Sequence, residues 1–240
     1  MHPFLFEQTP FAIPSQAALM IVAFLAGLAL SIHAGRQFAL PQHAVRDAAM
    51  WGFIASFLGA RLFMIGVEFL QGSFLLDKNC FVRLFEGGYS FHGGLFAGGI
   101  AAMLVVRSHR LALPRMADAF APGLAVALFF LRVGCLLNGC DYGIAASVPW
   151  ALPIDGVFRH PIQLYEGVGN LALTPILMRL NRKPLRPGRL FALHILASSS
   201  LRLGVDMYRD DPLRWGGLTL PQYLAAGMAV AAGCWLLRKR

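Results

Sequence analysis

Three arginines of this chain lie where a lipid bilayer would be. Arg61, Arg132 and Arg202 each interrupt an apolar run long enough to cross a membrane. An arginine within a span costs at least ~2.5 kcal/mol on insertion scales, so it faces a protein interior or a wet cavity and usually has a partner. Arg132 and Arg202 fall at similar depth, towards the outer ends of their runs. Two guanidinium groups meeting there would repel unless an anion lay between them. A phosphate suits them because arginine presents a planar fork to its oxygens.

Each arginine also has a structural explanation. Its side chain could snorkel to the lipid headgroups or join an internal salt bridge. Arg61 could pair with Glu68 or reach a headgroup. Asp206 lies four residues after Arg202, on the same helix face, and its carboxylate could orient the guanidinium.

His92 is the candidate acid or base. It stands in "GGYSFHGGLFAGG", the segment 87–99, among six glycines. Histidine, with a free pKa of ~6.5, is the usual proton carrier near neutral pH. The alternative is a buried, hydrogen-bonded histidine. Close helix packing explains glycines such as Gly94 and Gly98, but for Gly93 and Gly94 we also expect a bend that faces a ligand.

The segment "RHPIQLYE", Arg159 to Glu166, supplies a second set of polar side chains. A proline after a polar residue suits the first position of a helix, and this one follows His160. Gln163 and Glu166 are three residues apart and therefore share a helix face. The alternative is a polar helix cap at the membrane interface.

The segment "RVGCLLNGCDYG", Arg132 to Gly143, ends an apolar run with a break. Its turn-forming residues are Asn138, Gly139 and Gly143. Cys135 and Cys140 could form a disulfide, bind a metal or be inert. Because a metal needs more ligands than this segment offers, we predict no metal site.

The elements that must position these residues are membrane helices. Hydrophobic residues make up 57% of the chain and charged residues 14%, where soluble domains average about 25% charged. The sequence therefore predicts one all-α integral membrane domain over residues 1–240, with about seven transmembrane helices. The predicted spans are Ala17–Ala34, Ala44–Phe69, Tyr89–Val106, Met116–Leu137, Pro161–Leu180, Leu190–Met207 and Leu218–Leu237.

The basic residues predict the orientation. Of the 21 Lys and Arg residues, thirteen fall on one side of the predicted spans and five on the other. Basic loops favour the cytoplasm, so we expect the N-terminus outside and the C-terminus inside. The net charge of +9 then reflects this bias, with anionic membrane lipid and not nucleic acid as the partner.

Seven segments, in this order, resemble the prolipoprotein diacylglyceryl transferase family. They are "GARLF", "GGYSFHGGL", "DAFAP", "RVGCLLNG", "HPIQLYE", "RLGVDMYRDD" and "LTLPQYLAAGM". The resemblance implies a multi-pass enzyme of the bacterial cytoplasmic (inner) membrane that needs no cofactor. Such an enzyme moves a diacylglyceryl group from phosphatidylglycerol to the lipobox cysteine thiol of a prelipoprotein, and glycerol phosphate leaves.

The resemblance also implies roles for individual residues. Arg132 and Arg202 hold the phosphate and His92 assists thiol activation, so these three are the predicted catalytic residues. The predicted substrate-binding residues are Arg61, Gly93, Gly94, Asn138, Gly139, Gly143, His160, Gln163, Glu166 and Asp206. The chain departs from the family pattern in several places. Cys135 stands where asparagine is usual, Cys140 where glutamate is usual, and Asp206 replaces a typical glutamate. The usual tyrosine near the start of the first span is absent from "SQAALM", and the loop after Gly143 is shorter.

Two other functions fit parts of the sequence. A relative of the family could use the same lipid donor with a different acceptor. A membrane thiol oxidoreductase could use Cys135 and Cys140 with a quinone, although this leaves the arginines unexplained. A transporter is disfavoured, because transporters often contain internal repeats and the sequence has no clear one.

Overall fold

The seven apolar runs of the sequence become seven α-helices. The computed structural model describes residues 4–5, 13–70, 90–154, 156–210 and 216–238. The helices in these ranges are α1 (Ser15–Gly35), α2 (Gln42–Leu70), α3 (Phe91–Ser108), α4 (Leu113–Asn138), α5 (Ile162–Asn181), α6 (Arg189–Val205) and α7 (Leu220–Leu237). Each predicted span matches one helix to within three residues at either end. The prediction of an all-α protein with seven helices is confirmed.

Two short antiparallel hairpins accompany the helices and were not predicted. Strand β1 (Phe4–Leu5) pairs with β2 (Ile13–Pro14) directly before α1. Strand β3 (Leu152–Ile154) pairs with β4 (Val157–Arg159) between α4 and α5. The loop "QGSFLLDKNCFVRLFEGG", with Cys80, Gly87 and Gly88, lies outside the described residues.

Helix length and composition are those of a multi-pass membrane protein. Four described segments are long and apolar enough to cross a bilayer: Ser15–Phe38, Gln42–Leu70, Leu113–Asn138 and Arg189–Tyr208. Two shorter apolar helical segments are Gly93–Ser108 and Pro221–Leu237. Helix α5 is more polar and buries Gln163, Glu166, Asn170 and Thr174, so its side chains are suited to an interior site.

The chain forms two compact units, 40–116 and a larger one that combines 1–39 with 117–240. In the smaller unit, α2 and α3 are in backbone contact through glycines. A Cβ atom on Gly93 would lie 2.5 Å from the Gly59 oxygen, and one on Gly98 would lie 2.7 Å from the Gly52 oxygen. Both approaches are closer than a real Cβ tolerates. The close-packing explanation is therefore confirmed for Gly93, Gly98 and Gly94, whose Cβ would lie 3.0 Å from the Ser56 oxygen.

The bend predicted at Gly93 and Gly94 is wrong. Both residues lie in the first turn of α3, and Ser90 caps that turn by accepting a hydrogen bond from the Gly93 amide at 3.3 Å. Absence of a side chain serves close packing here, because α2 occupies the space that a side chain would fill.

In the larger unit, buried polar residues tie helix ends together. Asp118 of α4 is buried and accepts hydrogen bonds from the amides of Gly188 (2.7 Å), which caps the start of α6, and Phe191 (2.9 Å), in its first turn. These amides would otherwise be unsatisfied at a helix N-terminus. Asn181, at the end of α5, donates to the Ala34 oxygen at 3.2 Å and links α5 to α1.

The glycine contacts of α3 predict an asymmetry between neighbouring residues. Gly98→Ala places a methyl group against the backbone of α2, whereas Gly99→Ala meets no atom within 4 Å. Alanine favours a helix over glycine by roughly 1 kcal/mol at both positions, so the packing clash is the difference between the variants. We expect Gly98→Ala to lower the thermal midpoint of the detergent-purified protein and Gly99→Ala to leave it unchanged or raise it. Equal midpoints would contradict the packing.

Candidate active site

Three arginines and three carboxylates form a closed ring of ion pairs in the larger unit. Its members, in order around the ring, are Arg132, Glu166, Arg202, Asp206, Arg209 and Asp141, which we call the ion-pair ring. Glu166 joins two arginines: Oε2 is 2.7 Å from Arg132 Nη2, and Oε1 is 3.3 Å from Arg202 Nη1. The predicted meeting of Arg132 and Arg202 around an anion is thus found, with a protein carboxylate as that anion.

The other half of the ring closes through the segment after α6. Asp206 Oδ2 lies 3.5 Å from Arg202 Nε, and Asp206 Oδ1 lies 3.6 Å from Arg209 Nη1. Asp141 then pairs with Arg209 Nη2 and, at 3.0 Å, with Arg132 Nη1. The predicted contact between Arg202 and Asp206 is confirmed.

Separate elements bring the six ring side chains together. Arg132 comes from the last turns of α4, Glu166 from the first turns of α5 and Arg202 from the last turn of α6. Asp206 begins a 3-10 turn that continues α6. Asp141 follows α4 in a left-handed conformation with φ +60°, after Gly139 at φ +75°. These two residues reverse the chain so that Asp141 reaches back to Arg132.

Partial burial strengthens the ring. The side chains of Glu166 and Arg132 are 9% and 12% exposed, and that of Asp206 is 2% exposed. Arg202 is the most open of the three arginines at 25%. Charges withdrawn from water interact more strongly than surface pairs, and each must be compensated to be tolerated. The ring compensates three positive charges with three negative ones, and a quarter of the Arg202 side chain stays exposed.

Gly143 shows why the loop after α4 needs a glycine. Its amide donates to the His160 oxygen at 3.2 Å, while Ile144 donates to the Tyr208 oxygen at 2.8 Å. A Cβ on Gly143 would lie 2.6 Å from the His160 oxygen and 2.8 Å from the Tyr208 oxygen. Only a residue without a side chain lets this loop join the start of α5 to the segment that carries Asp206 and Arg209.

Two predicted site residues, Gln163 of α5 and His160 just before it, contact the same loop. Gln163 is 1% exposed, and its Nε2 donates to the Cys140 oxygen at 2.7 Å. His160 Nδ1 is 3.0 Å from the Tyr165 hydroxyl, which also accepts a hydrogen bond from Trp150 Nε1 at 2.7 Å. Arg159 adds a contact to the Gly143 oxygen at 3.1 Å. The polar side chains of "RHPIQLYE" therefore position the loop beside the ion-pair ring.

The two cysteines of this region are free and in contact. The Cys140 amide donates to the Cys135 oxygen at 3.0 Å, and the Cys140 thiol donates to the same oxygen at 3.4 Å. A hydrogen bond from the Cys135 thiol lowers the pKa of Cys140 to about 7, against the opposing effects of burial and Asp141. Among the described residues there is no group of three potential metal ligands.

Four sequence candidates, Arg61, His92, Gly93 and Gly94, lie in the smaller unit. Arg61 is buried there, and its Nη1 is 3.2 Å from Glu68 Oε1, so the predicted pair is found. Gly93 lies in the first turn of α3. His92 also belongs to that turn, but its side chain is outside the described part of the protein. The catalytic role of His92 and the substrate contacts of Arg61, Gly93 and Gly94 stay predictions.

Sequence reasoning missed two members of the ring. Neither Arg209 nor Asp141 is among the predicted site residues, although the two form an ion pair in the ring. Asp141 directly follows the turn "NGC", and Arg209 lies seven residues after Arg202, two helical turns along the same face. That spacing was the available signal.

Chemically, the site is suited to a tetrahedral anion. Each guanidinium carries five N–H donors, of which the ion pairs use part. A phosphate that approached Arg132 and Arg202 could accept hydrogen bonds from the donors that Glu166 leaves unused, or could displace the Glu166 carboxylate. Donors fixed in advance stabilise charge that develops on a departing phosphate without reorganisation.

Comparison with known proteins supports this chemistry. The prolipoprotein diacylglyceryl transferase family model matches residues 3–238. A phosphatidylglycerol–prolipoprotein diacylglyceryl transferase of Idiomarina loihiensis is 36% identical over 195 residues, covering 77% of this chain and 72% of the relative. The enzyme of that name from Rhodospirillum rubrum is 32% identical over 246 residues, covering 96% and 89%. The one from Synechococcus elongatus is 28% identical over 247 residues, covering 96% and 84%.

The ring predicts that Glu166 contributes more to stability than an acid in an exposed ion pair. Glu166→Gln removes the negative charge shared by Arg132 and Arg202 and leaves two partly buried cations facing each other. Breaking such a pair costs about 3 kcal/mol, so we expect a clear drop of the thermal midpoint in detergent. Asp47→Asn is the control, because Asp47 pairs at 3.3 Å with an Arg46 side chain that is 56% exposed, and such pairs contribute about 0–1 kcal/mol. Equal effects of the two changes would contradict the ring.

Proposed function

Because this chain belongs to the prolipoprotein diacylglyceryl transferase family, we propose that it transfers a diacylglyceryl group from phosphatidylglycerol to the lipobox cysteine of a prelipoprotein. The observation that carries the proposal is the contact of Arg132 and Arg202 with one carboxylate, at the ends of α4 and α6. Membrane lipid supplies the donor, and a signal peptide with its lipobox presents the acceptor. Nucleic acid has no part in the reaction.

The reaction needs a stabilised leaving group. The sulfur of the acceptor attacks the glyceryl carbon next to the phosphate, the C–O bond breaks, and its electron pair stays on the departing glycerol phosphate. Arg132 and Arg202 hold this phosphate and stabilise the added charge. Glu166 and Asp206 hold the guanidinium groups in position between turnovers.

The remaining predicted residues shape the site around this phosphate. Asn138, Gly139 and Gly143 form the turn and the loop contact beside Arg132, while His160 and Gln163 hold that loop from the α5 side. His92, Arg61, Gly93 and Gly94, which belong to the smaller unit, are the other predicted residues. The acceptor thiol loses its proton before attack, and His92 is the base that the family resemblance implies.

The proposed location is the bacterial cytoplasmic membrane, with the N-terminus outside. The basic residues between α3 and α4, and between α5 and α6, support this orientation. It places the loop after α4, and with it the ion-pair ring, towards the outer leaflet. A secreted prelipoprotein presents its lipobox at that side.

Two alternative functions fit some of the same residues. A different thiol acceptor would use the same lipid donor and the same ring. The contact between Cys135 and Cys140 is what a thiol oxidoreductase would need, but that function leaves the three paired arginines without a role. The transferase is therefore the function that the site supports best.

The direct test of function uses purified protein, phosphatidylglycerol vesicles and a lipobox peptide. We expect release of glycerol phosphate together with a thioether on the peptide, measured by mass spectrometry. Arg132→Ala and Arg202→Ala should each lower turnover about 100-fold, the usual loss for one preorganised donor. Arg46→Ala is the control because its ion pair with Asp47 is exposed. Wild-type turnover in both ring variants would contradict the phosphate role.

Orientation is testable with two matched serine-to-cysteine changes. Ser108, at the end of α3, and Ser147, in the loop after α4, are both exposed. In a chain whose four native cysteines are serine, an impermeant maleimide added to intact cells should label Ser147→Cys and not Ser108→Cys. Permeabilised cells should label both. Labelling of Ser108→Cys alone in intact cells would reverse the orientation.

A further inference from the structure

We propose that a basic crevice between the α5–α6 loop and the end of α7 binds the phosphate of an anionic phospholipid, at a site separate from the ion-pair ring. The residues that line this crevice are Arg186, Pro187, Arg189, Trp235 and Leu236, all in the larger unit. Arg189 begins α6 and precedes Arg202 of the ring by about 20 Å along the helix. The inference goes beyond the proposed transferase function and does not depend on it.

A tight turn holds the two crevice arginines in position. The Arg189 amide donates to the Arg186 oxygen at 3.1 Å, and Gly188 has φ +85°. Proline at the second position of a four-residue turn and glycine of positive φ at the third are typical of a type II turn. Buried Asp118 of α4 accepts a hydrogen bond from the Gly188 amide at 2.7 Å. The turn is therefore fixed to α4 before any ligand arrives.

The end of α7 forms the other wall of the crevice. Arg186 Nη1 donates to the Arg238 oxygen at 2.8 Å, which ties the turn to this end. The Arg238 guanidinium lies over the Trp235 ring, 5.9 Å from its centroid, in a cation–π arrangement. Since a guanidinium has five N–H donors, Arg186 can donate to a ligand as well as to Arg238. A third arginine is thus held beside the two that line the crevice.

The charge of this region favours an anionic ligand. Residues 179–189 contain five Lys and Arg, and the chain ends in three more. The segments 167–205 and 212–240 contain no Asp or Glu. Asp118 contacts the turn and supplies one negative charge, so a large positive excess stays. Basic clusters at the end of a membrane helix attract anionic lipid headgroups.

Apolar surface beside the crevice favours a lipid over a soluble anion. Val230, Trp235 and Leu237 of α7 are all exposed large side chains. Tryptophan is enriched where membrane helices reach the lipid headgroups. A phospholipid with its phosphate at Arg186 and Arg189 could lay its acyl chains along α7. A soluble phosphate would use the arginines and leave the apolar side chains uncovered.

The leaflet follows from the proposed orientation. The loop between α5 and α6 and the end of α7 are on the basic side of the predicted spans, which is the cytoplasmic side. The lipid therefore comes from the inner leaflet, whereas the proposed donor lipid meets the ion-pair ring at the outer side. Its phosphate would bridge the α5–α6 loop and the end of α7.

The test measures the lipid preference beside Trp235 in phosphatidylcholine vesicles. In a chain whose Trp51, Trp150 and Trp215 are phenylalanine, brominated phosphatidylglycerol should quench Trp235 fluorescence at lower mole fraction than brominated phosphatidylcholine. Arg186→Gln combined with Arg189→Gln should lower the relative binding constant about 30-fold, because each basic residue near an anionic surface contributes about fivefold.

The matched control removes two charges from another basic loop. Arg107 and Arg110, between α3 and α4, are both exposed, and their double change to glutamine should keep the wild-type preference. An equal fall in both double variants would show that overall surface charge sets the preference, and would overturn the site. Relief of quenching by inorganic phosphate, at ionic strength matched with chloride, would assign the crevice to a soluble anion and overturn the lipid proposal.

A second measurement keeps all four tryptophans, in case the single-tryptophan chain folds poorly. Native mass spectrometry of the detergent-purified protein with added phosphatidylglycerol counts the bound lipids. The double change of Arg186 and Arg189 to glutamine should remove one bound lipid, and should do so in an Arg132→Ala background as well. Equal counts in wild type and variant overturn the proposal. A difference that disappears in the Arg132→Ala background overturns the separation of the crevice from the ring.

Discussion

The interaction on which this structure depends is the double ion pair of Glu166 with Arg132 and Arg202. Each arginine belongs to a segment long and apolar enough to cross a bilayer, where an unpaired cation would be costly. One carboxylate from α5 satisfies both, and so fixes the ends of α4, α5 and α6 against one another. The other ring members extend the same compensation through the loop after α4 and the turn after α6.

A compensated ring has a functional advantage over two bare arginines. The guanidinium groups are held in position before a substrate arrives, so little reorganisation is needed when a phosphate takes on charge. Arg202 is the most open of the three arginines, so it is the guanidinium that a lipid phosphate can approach most easily. The loop held by Gln163 and closed at Gly143 places Asp141 against Arg132 and Arg209. Helix packing and loop closure are thus linked through a few buried polar contacts.

The sequence predicted the helices well because a membrane span requires a long run of apolar residues bounded by polar ones. It also predicted the Arg202–Asp206 and Arg61–Glu68 pairs, since spacing along one helix fixes which side chains can meet. Partners from distant segments were harder: the turn at Asn138 and Gly139 is visible in the sequence, but its spacing does not show that Asp141 meets Arg209. The bend expected at Gly93 and Gly94 failed because glycines that admit a ligand and glycines that admit a neighbouring helix look the same in a sequence.

The central claim is that Arg132 and Arg202 hold one phosphate of the lipid donor. An experimental structure of the protein in nanodiscs that contain phosphatidylglycerol tests it most directly. The account predicts density for a lipid phosphate within hydrogen-bond distance of both guanidinium groups, with the acyl chains running along α4 and α6. The claim would be contradicted if lipid phosphates were found only elsewhere, with all ion pairs of the ring intact and no phosphate in contact with Arg132 or Arg202.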